Sequence, residues 1–310
     1  MEKRKIGSLE VSLAGLGCNN FGWRIDADGT AAVVTAAIEA GINFFDTADI
    51  YGGGQSEEYL GRALKGRRDK VLIATKFGMK MADGKEGAKP AYIRQAAEDS
   101  LRRLGTDHID LYQIHKPDAS TPIADTLGAL DELVKAGKVR EIGCSNFSAE
   151  QLREAAGVSA KSGGARFVSV QNNYSLLHRE PEPEVLPECE RQGIAFLPYF
   201  PLANGLLTGK YRQGQPFPKS SRAEDGFGPK VFTDENLALV EQLRGFAELR
   251  GHTLLELSMA WLAAKSAIAS IIAGAKTPEQ AKANASSVAW RLTEADVTAI
   301  DGILTAKAHG

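Results

Sequence analysis

The chain has 310 residues, 43% of them hydrophobic and 25% charged, with a formal net charge of -2 at pH 7. That is an ordinary globular composition, with no basic footprint for nucleic acid and no acidic tail, so partners are expected in a pocket. Three well-separated cysteines, Cys18, Cys144 and Cys189, form no CxxC pair, which predicts reduced thiols in a cytoplasmic protein and no thiolate metal site.

The basic first residues lead into a short apolar run, Val11 to Gly17, that could be read as an export signal. Glu10 interrupts it, and its length is at the lower limit for such a core. No apolar stretch approaches the roughly 20 residues of a membrane span. Even the run after Ser258 carries Lys265. Neither a membrane nor a nucleic-acid partner is expected, and a monomer is favoured.

Segment 3–12 reads as a small hairpin. After it, short β-branched or apolar runs alternate with longer amphipathic stretches, the pattern of parallel strands joined by crossover helices. Strands are expected near 13–18, 42–45, 71–75, 109–114, 139–143, 167–171, 194–199 and 268–273. Helix-period segments fall near 29–40, 56–65, 90–104, 122–136, 148–156 and 181–192. Thr121 and Pro122 open one helix, Ser148 followed by Glu150 another, and Thr277-Pro278-Glu279-Gln280 reads as a capping box. Two more helices, near 234–250 and 253–265, precede the eighth strand, and one near 294–304 closes the chain. Region 203–232 is rich in Gly, Pro, Lys and Ser without periodicity, as expected of a functional lid or a disordered loop.

Eight such repeats predict an α/β protein, a (β/α)8 TIM barrel with an N-terminal hairpin and extra helices, in a single domain over 1–310. A doubly wound sheet would need a glycine fingerprint after its first strand. Gly15-Leu16-Gly17 begins one, but Asn20 occupies the third position. GLLTGKY (205–211) is not a P-loop, since three residues separate its glycines and Tyr211 stands where Ser or Thr should bind magnesium.

In a barrel of this kind chemistry sits where strands run into the loops that follow them. Those positions carry Asp46, Lys76, His115, Ser145 with Asn146, Gln171, Tyr199 and Lys276. Polar groups thus converge on one rim although the strands themselves are apolar.

The blocks DTADIYGGGQSEEYLG (46–61), IATKFG (73–78), DLYQIHKPD (110–118), GKVREIGCSNF (137–147), LPYFPLANGLLTGKY (197–211) and IIAGAKTPEQAKAN (271–284) resemble, in order, the aldo-keto reductase superfamily. The resemblance implies hydride transfer between NADPH and the carbonyl carbon of an aldehyde or ketone, with alcohol oxidation as the reverse. It places the catalytic tetrad on Asp46, Tyr51, Lys76 and His115. Carbonyl reduction needs a proton and donors where the oxyanion develops, and Tyr51 would be the acid. The Lys76 ammonium would pull the phenol down toward working pH. Asp46 would hold Lys76 charged, and His115 would direct an N–H at the same oxygen.

By the same resemblance Ser145, Asn146 and Gln171 would clamp the nicotinamide carboxamide and Tyr199 would stack on its ring. Phe200 stands where the family often has serine, which removes a hydroxyl from the pyrophosphate site; Leu202, Asn204 and Gly205 remain candidates there. Lys276 and the helix start at Thr277 offer an ammonium and a positive dipole end to the 2′-phosphate of NADP. Gly274 and Gln280 join the cofactor set, Gln280 either closing the capping box or reaching the cofactor, and Asn284 resembles the adenine contact. Substrate walls are expected from Asn19, Asn20, Phe21 and Trp23. Two other readings share this sequence: a cofactor-binding regulatory subunit resembling potassium-channel β subunits, and an unrelated phosphate-binding barrel lyase or isomerase using Lys76 as a Schiff-base amine.

Overall fold

The structure is a computed structural model that describes residues 1–81, 84–218, 223 and 231–306. It opens on an antiparallel hairpin of β1 (Lys3–Ile6) and β2 (Leu9–Ser12), turned at Gly7, whose φ of 56° suits a two-residue hairpin loop. Alternation buries Ile6, Leu9 and Val11 on one face, where they join Phe44, Ala74, Leu111, Leu197 and Ile272 in one apolar cluster. The hairpin therefore plugs the N-terminal end of the barrel, leaving the opposite end for the site.

Eight parallel strands close that barrel: β3 (Ala14–Gly17), β4 (Phe44–Asp46), β5 (Leu72–Phe77), β6 (Ile109–Ile114), β7 (Val139–Ser145), β8 (Phe167–Asn173), β9 (Ala195–Tyr199) and β10 (Ile271–Gly274). They follow one another around the ring in sequence order, β10 pairing with β3. This is a (β/α)8 TIM barrel. Helices α1 (Ala27–Glu39), α2 (Gln55–Ala63), α3 (Pro90–Leu104), α4 (Ile123–Lys135), α5 (Ala149–Ser162) and α6 (Val185–Gln192) cross between successive strands. Helices α7 (Asp234–Glu248) and α8 (Leu254–Ala263) both precede β10, and α9 (Pro278–Ser286) and α10 (Glu294–Ala306) follow it. A second, larger apolar cluster lies between the strands and these helices.

Local chemistry explains most boundaries. Asp26 caps α1, Ser148 and Gln151 form a reciprocal capping box on α5, and Thr253 with Glu256 does the same for α8. Gly105, Gly163 and Gly193 end α3, α5 and α6 in the left-handed conformation. Three start signals act differently from expectation. Pro122 precedes α4 without a side-chain cap, because the Thr121 hydroxyl donates to Asp118 instead. Helix α6 begins at Val185 rather than near 181, since Pro181 and Pro183 disfavour helical backbone before them. At α9 the Thr277 hydroxyl accepts from the Gln280 N–H, but the Gln280 amide accepts from Lys276, one residue outside the box. Region 203–232 begins as tight turns over Ala203–Thr208, and 219–222 and 224–230 lie outside the described residues.

Candidate active site

Asp46 ends β4, and Lys76 sits one residue before the end of β5, both pointing into the barrel mouth. The Lys76 Nζ donates to Asp46 Oδ1 at 2.6 Å and to the Thr47 carbonyl at 2.8 Å, with Lys76 0% and Asp46 2% exposed. Tyr51 begins a turn whose Gly52 and Gly53 adopt φ of 59° and 66°. Gly52 is needed twice over, since a Cβ there would also approach the Gly22 backbone to 3.1 Å. The turn brings the Tyr51 ring against Lys76, whose Nζ lies 5.2 Å from the ring centroid. The His115 ring meets Tyr51 edge-on at 5.8 Å and 81°. Four groups expected at four separate chain positions thus share one pocket floor.

Electrostatics sort their protonation states. Burial pulls the Lys76 ammonium down, but Asp46 and Tyr51 together hold it above its ordinary value. That is opposite to the depressed amine a Schiff-base enzyme requires. Burial pushes the Tyr51 phenol up; Lys76 opposes this without overcoming it. The expectation of a phenol lowered toward neutral pH is therefore corrected, and Tyr51 rests protonated. Burial, then the Lys76 and Lys116 charges, push His115 down to about 3. Its imidazole is neutral at physiological pH, and its Nδ1 has no hydrogen-bond partner among the described residues.

Beneath this floor, Glu57 takes Thr75 at 2.5 Å and Arg103 at 2.6 Å, whereas Asp49, 2% exposed, has no partner on either oxygen among the described residues. Burial, then Glu57, push Asp49 up to about 7. A carboxyl raised in the folded state takes up a proton on folding between its unfolded pKa of ~3.9 and about 7, so its stability contribution falls as pH rises through that window. Asp49→Asn is accordingly expected to raise stability at pH 8 by up to roughly 4 kcal/mol and to change little at pH 4. Urea midpoints at the two pH values test this; equal effects at both would exclude an ionised Asp49 as the cause.

The expected cofactor residues occupy the same rim. Ser145 Oγ donates to the Gln171 carbonyl at 2.7 Å, and Asn146, in left-handed backbone at φ 62°, donates its amide to the His115 carbonyl at 2.9 Å. Tyr199 Oη donates to Asn146 Oδ1 at 2.8 Å. Gln171 turns its amide nitrogen to Asp46 Oδ2 at 2.8 Å. After Tyr199 the backbone is left-handed at Phe200, Ala203 and Asn204, with φ of 51°, 44° and 57°, and at Gly205. Non-glycine residues there cost on the order of 1–3 kcal/mol each and gather at ligand clamps. Leu202 accepts from the Gly205 and Leu207 N–H groups, closing the turn. Lys210, set aside in sequence with the rejected P-loop, has its Nζ 3.8 Å from where a Gly205 Cβ would stand.

Across the rim, Lys276 and Thr277 open α9, where Glu279 is lowered by its own backbone N–H and the Thr277 hydroxyl, so an incoming anion competes with that carboxylate. Asn284 is 5% exposed and donates to the Gly274 carbonyl at 3.3 Å. The four substrate-wall candidates do not form one surface. Trp23 is 59% exposed and Asn19 half-buried, but Asn20 donates to the Ala275 carbonyl and Phe21 is fully buried. Phe21 packs in the outer core behind the pocket, because the Asn20 carbonyl gathers the N–H groups of Trp23, Arg24 and Ile25 and turns the loop around it.

Barrel and side chains together define an enzyme of the aldo-keto reductase type. The aldo/keto reductase family model matches residues 14–305. The chain is 37% identical over 306 residues to the aldo-keto reductase YhdN of Bacillus subtilis, covering 96% of this chain and 91% of that one. It is 34% identical to the probable aldo-keto reductase 1 of Glycine max, with coverages of 96% and 87%. The structure of a glycerol dehydrogenase from Gluconobacter oxydans superposes with a TM-score of 0.86 at 32% identity, covering 99% of this chain and 96% of that one. The chain belongs to the aldo-keto reductase family of oxidoreductases, whose members generally use nicotinamide cofactors.

Proposed function

We propose that this chain is an NADP-dependent carbonyl reductase working as one barrel domain over 1–310, with Tyr51 as general acid. One observation carries the reading: the Tyr51 phenol lies against a buried ammonium held by Asp46 and meets the His115 ring edge-on. When bound, the reduced nicotinamide supplies the hydride. The chain's own residues supply the rest: Tyr51 donates the proton to the carbonyl oxygen, Lys76 stabilises the phenolate left behind, and His115 offers an N–H to the same oxygen. Asp46 keeps Lys76 charged. The strained turn at Phe200–Gly205 with Lys210 suits the pyrophosphate, and Ser145, Asn146, Gln171 and Tyr199 suit the nicotinamide. Small or aromatic aldehydes and ketones are the expected substrates, sugar-like carbonyls second. The glycerol dehydrogenase similarity adds polyols to the alcohols tried in reverse.

Three buried free cysteines accord with a reducing cytoplasmic setting, and no described helix is long and apolar enough to cross a membrane. A carbonyl panel followed by NADPH absorbance tests the function; absence of turnover throughout would reject it. Cofactor choice is tested separately. The 2′-phosphate carries a charge of about -1.5 to -2, and a charge-assisted contact contributes roughly 1.5–3 kcal/mol. NADPH is therefore expected to bind at least about tenfold more tightly than NADH, a ratio falling severalfold in Lys276→Ala. Fluorescence titrations at one ionic strength measure both, and equal wild-type affinities would overturn the NADPH assignment alone.

A further inference from the structure

We infer that Gln113 is a positioning residue for Asp46, holding the carboxylate that in turn holds Lys76 against Tyr51. The role rests on the proposed carbonyl chemistry and deepens it. Asp46 spends Oδ1 on Lys76, while Oδ2 receives amide nitrogens from Gln171 at 2.8 Å and Gln113 at 3.3 Å. The carboxylate is thereby fixed from three strands, β5, β6 and β8. Donation by the amide nitrogen is the only sensible orientation, because the reverse would set an amide oxygen against a carboxylate.

Two further features show that the barrel is built around this side chain. Gln113 pairs in register with Lys76 on one side and with Gly143 on the other. A Cβ at Gly143 would stand 3.2 Å from Gln113 Cγ and 2.3 Å from Ser169 Oγ, so glycine makes the room Gln113 occupies. Gln113 is also 0% exposed, and its Oε1 has no partner among the described residues, an arrangement more costly than an apolar side chain. Inward-facing Leu111, two residues earlier on β6, shows what that layer accepts where no donor is needed. The two amides are not equivalent. Gln171 belongs to the rim proposed for the nicotinamide, and any turn of its amide toward a ligand leaves Gln113 as the neutral donor on Oδ2.

Gln113→Met keeps length and removes the donor; Gln113→Glu restores one only while its carboxyl is protonated beside Asp46. In the methionine variant kcat for NADPH-dependent reduction is expected to fall about ten- to a hundredfold, with NADPH affinity by fluorescence within about twofold. The glutamate variant should recover activity at low pH and lose it as the introduced carboxyl ionises, since two like charges at that distance resist joint ionisation. That added limb, absent from wild type, separates positioning from packing. Wild-type kcat in the methionine variant at every pH overturns the inference. So do superimposable pH profiles of the two variants with equal falls in thermal midpoint, which identify a packing role. A wild-type chain that turns over no carbonyl removes the proposed function and this role with it, whereas an active wild type with an unaltered methionine variant removes this role alone.

Discussion

Tyr51→Phe is expected to lower kcat for carbonyl reduction by about 100- to 10,000-fold while leaving NADPH affinity within about twofold. The substitution deletes one oxygen and keeps the ring that meets His115 edge-on. Lys76 keeps both its acceptors, Asp46 and the Thr47 carbonyl, so its charge stays compensated and the floor stays folded. What disappears is the protonated phenol hydroxyl that the proposed mechanism places at the oxyanion. His115 is no substitute, since a group held down to about 3 carries no spare proton at neutral pH. Steady-state reduction and a cofactor titration on the same preparation measure both effects. Turnover near wild type would remove Tyr51 as the acid, and a large loss of NADPH affinity would show that the hydroxyl serves the cofactor instead.

Strand and helix alternation made the barrel legible, and β6 and α3 fall where periodicity places them; α3 has sharp chemical boundaries, since Pro90 opens it and Gly105 ends it. The proposed tetrad stood out in sequence because barrel chemistry gathers at strand ends, where Asp46, Lys76 and His115 interrupt apolar runs. Tyr51 needed the resemblance, since only the left-handed glycines turn that loop inward. Other features were not readable because they depend on neighbours remote in sequence. Burial outweighing Lys76 at the Tyr51 phenol is a property of the packed pocket. Phe21 has the composition of a pocket wall and the packing of a core residue. Gln113 left a trace, an amide on the inward face of an apolar strand, but its meaning required the register that sets it beside Lys76.

Lys76→Met is expected to abolish most activity and, unlike Tyr51→Phe, to destabilise the fold. Removing one partner of a buried ion pair leaves a charge without compensation, at a cost of roughly 3–5 kcal/mol. Here that charge is Asp46, 2% exposed, with only the Gln171 and Gln113 amides left as donors among the described residues. In the variant this carboxylate is expected to bind a proton at pH values where a solvated aspartate, at ~3.9, would not. A carboxyl whose folded pKa exceeds its unfolded one loses stability as pH rises, so the penalty should be small near pH 4 and full near pH 8. Tyr51 meanwhile loses the cation that opposes its burial, so surviving alcohol oxidation, which needs the phenolate, should shift to higher pH. Urea midpoints across pH separate these effects when the double variant Asp46→Asn/Lys76→Met is included. The second substitution removes the stranded charge and should restore much of the stability at pH 8, yet activity should stay as low as in Lys76→Met alone. A single variant as stable as wild type at pH 8, or a double variant that regains turnover, would show that the pair is neither electrostatically buried nor required by the phenol.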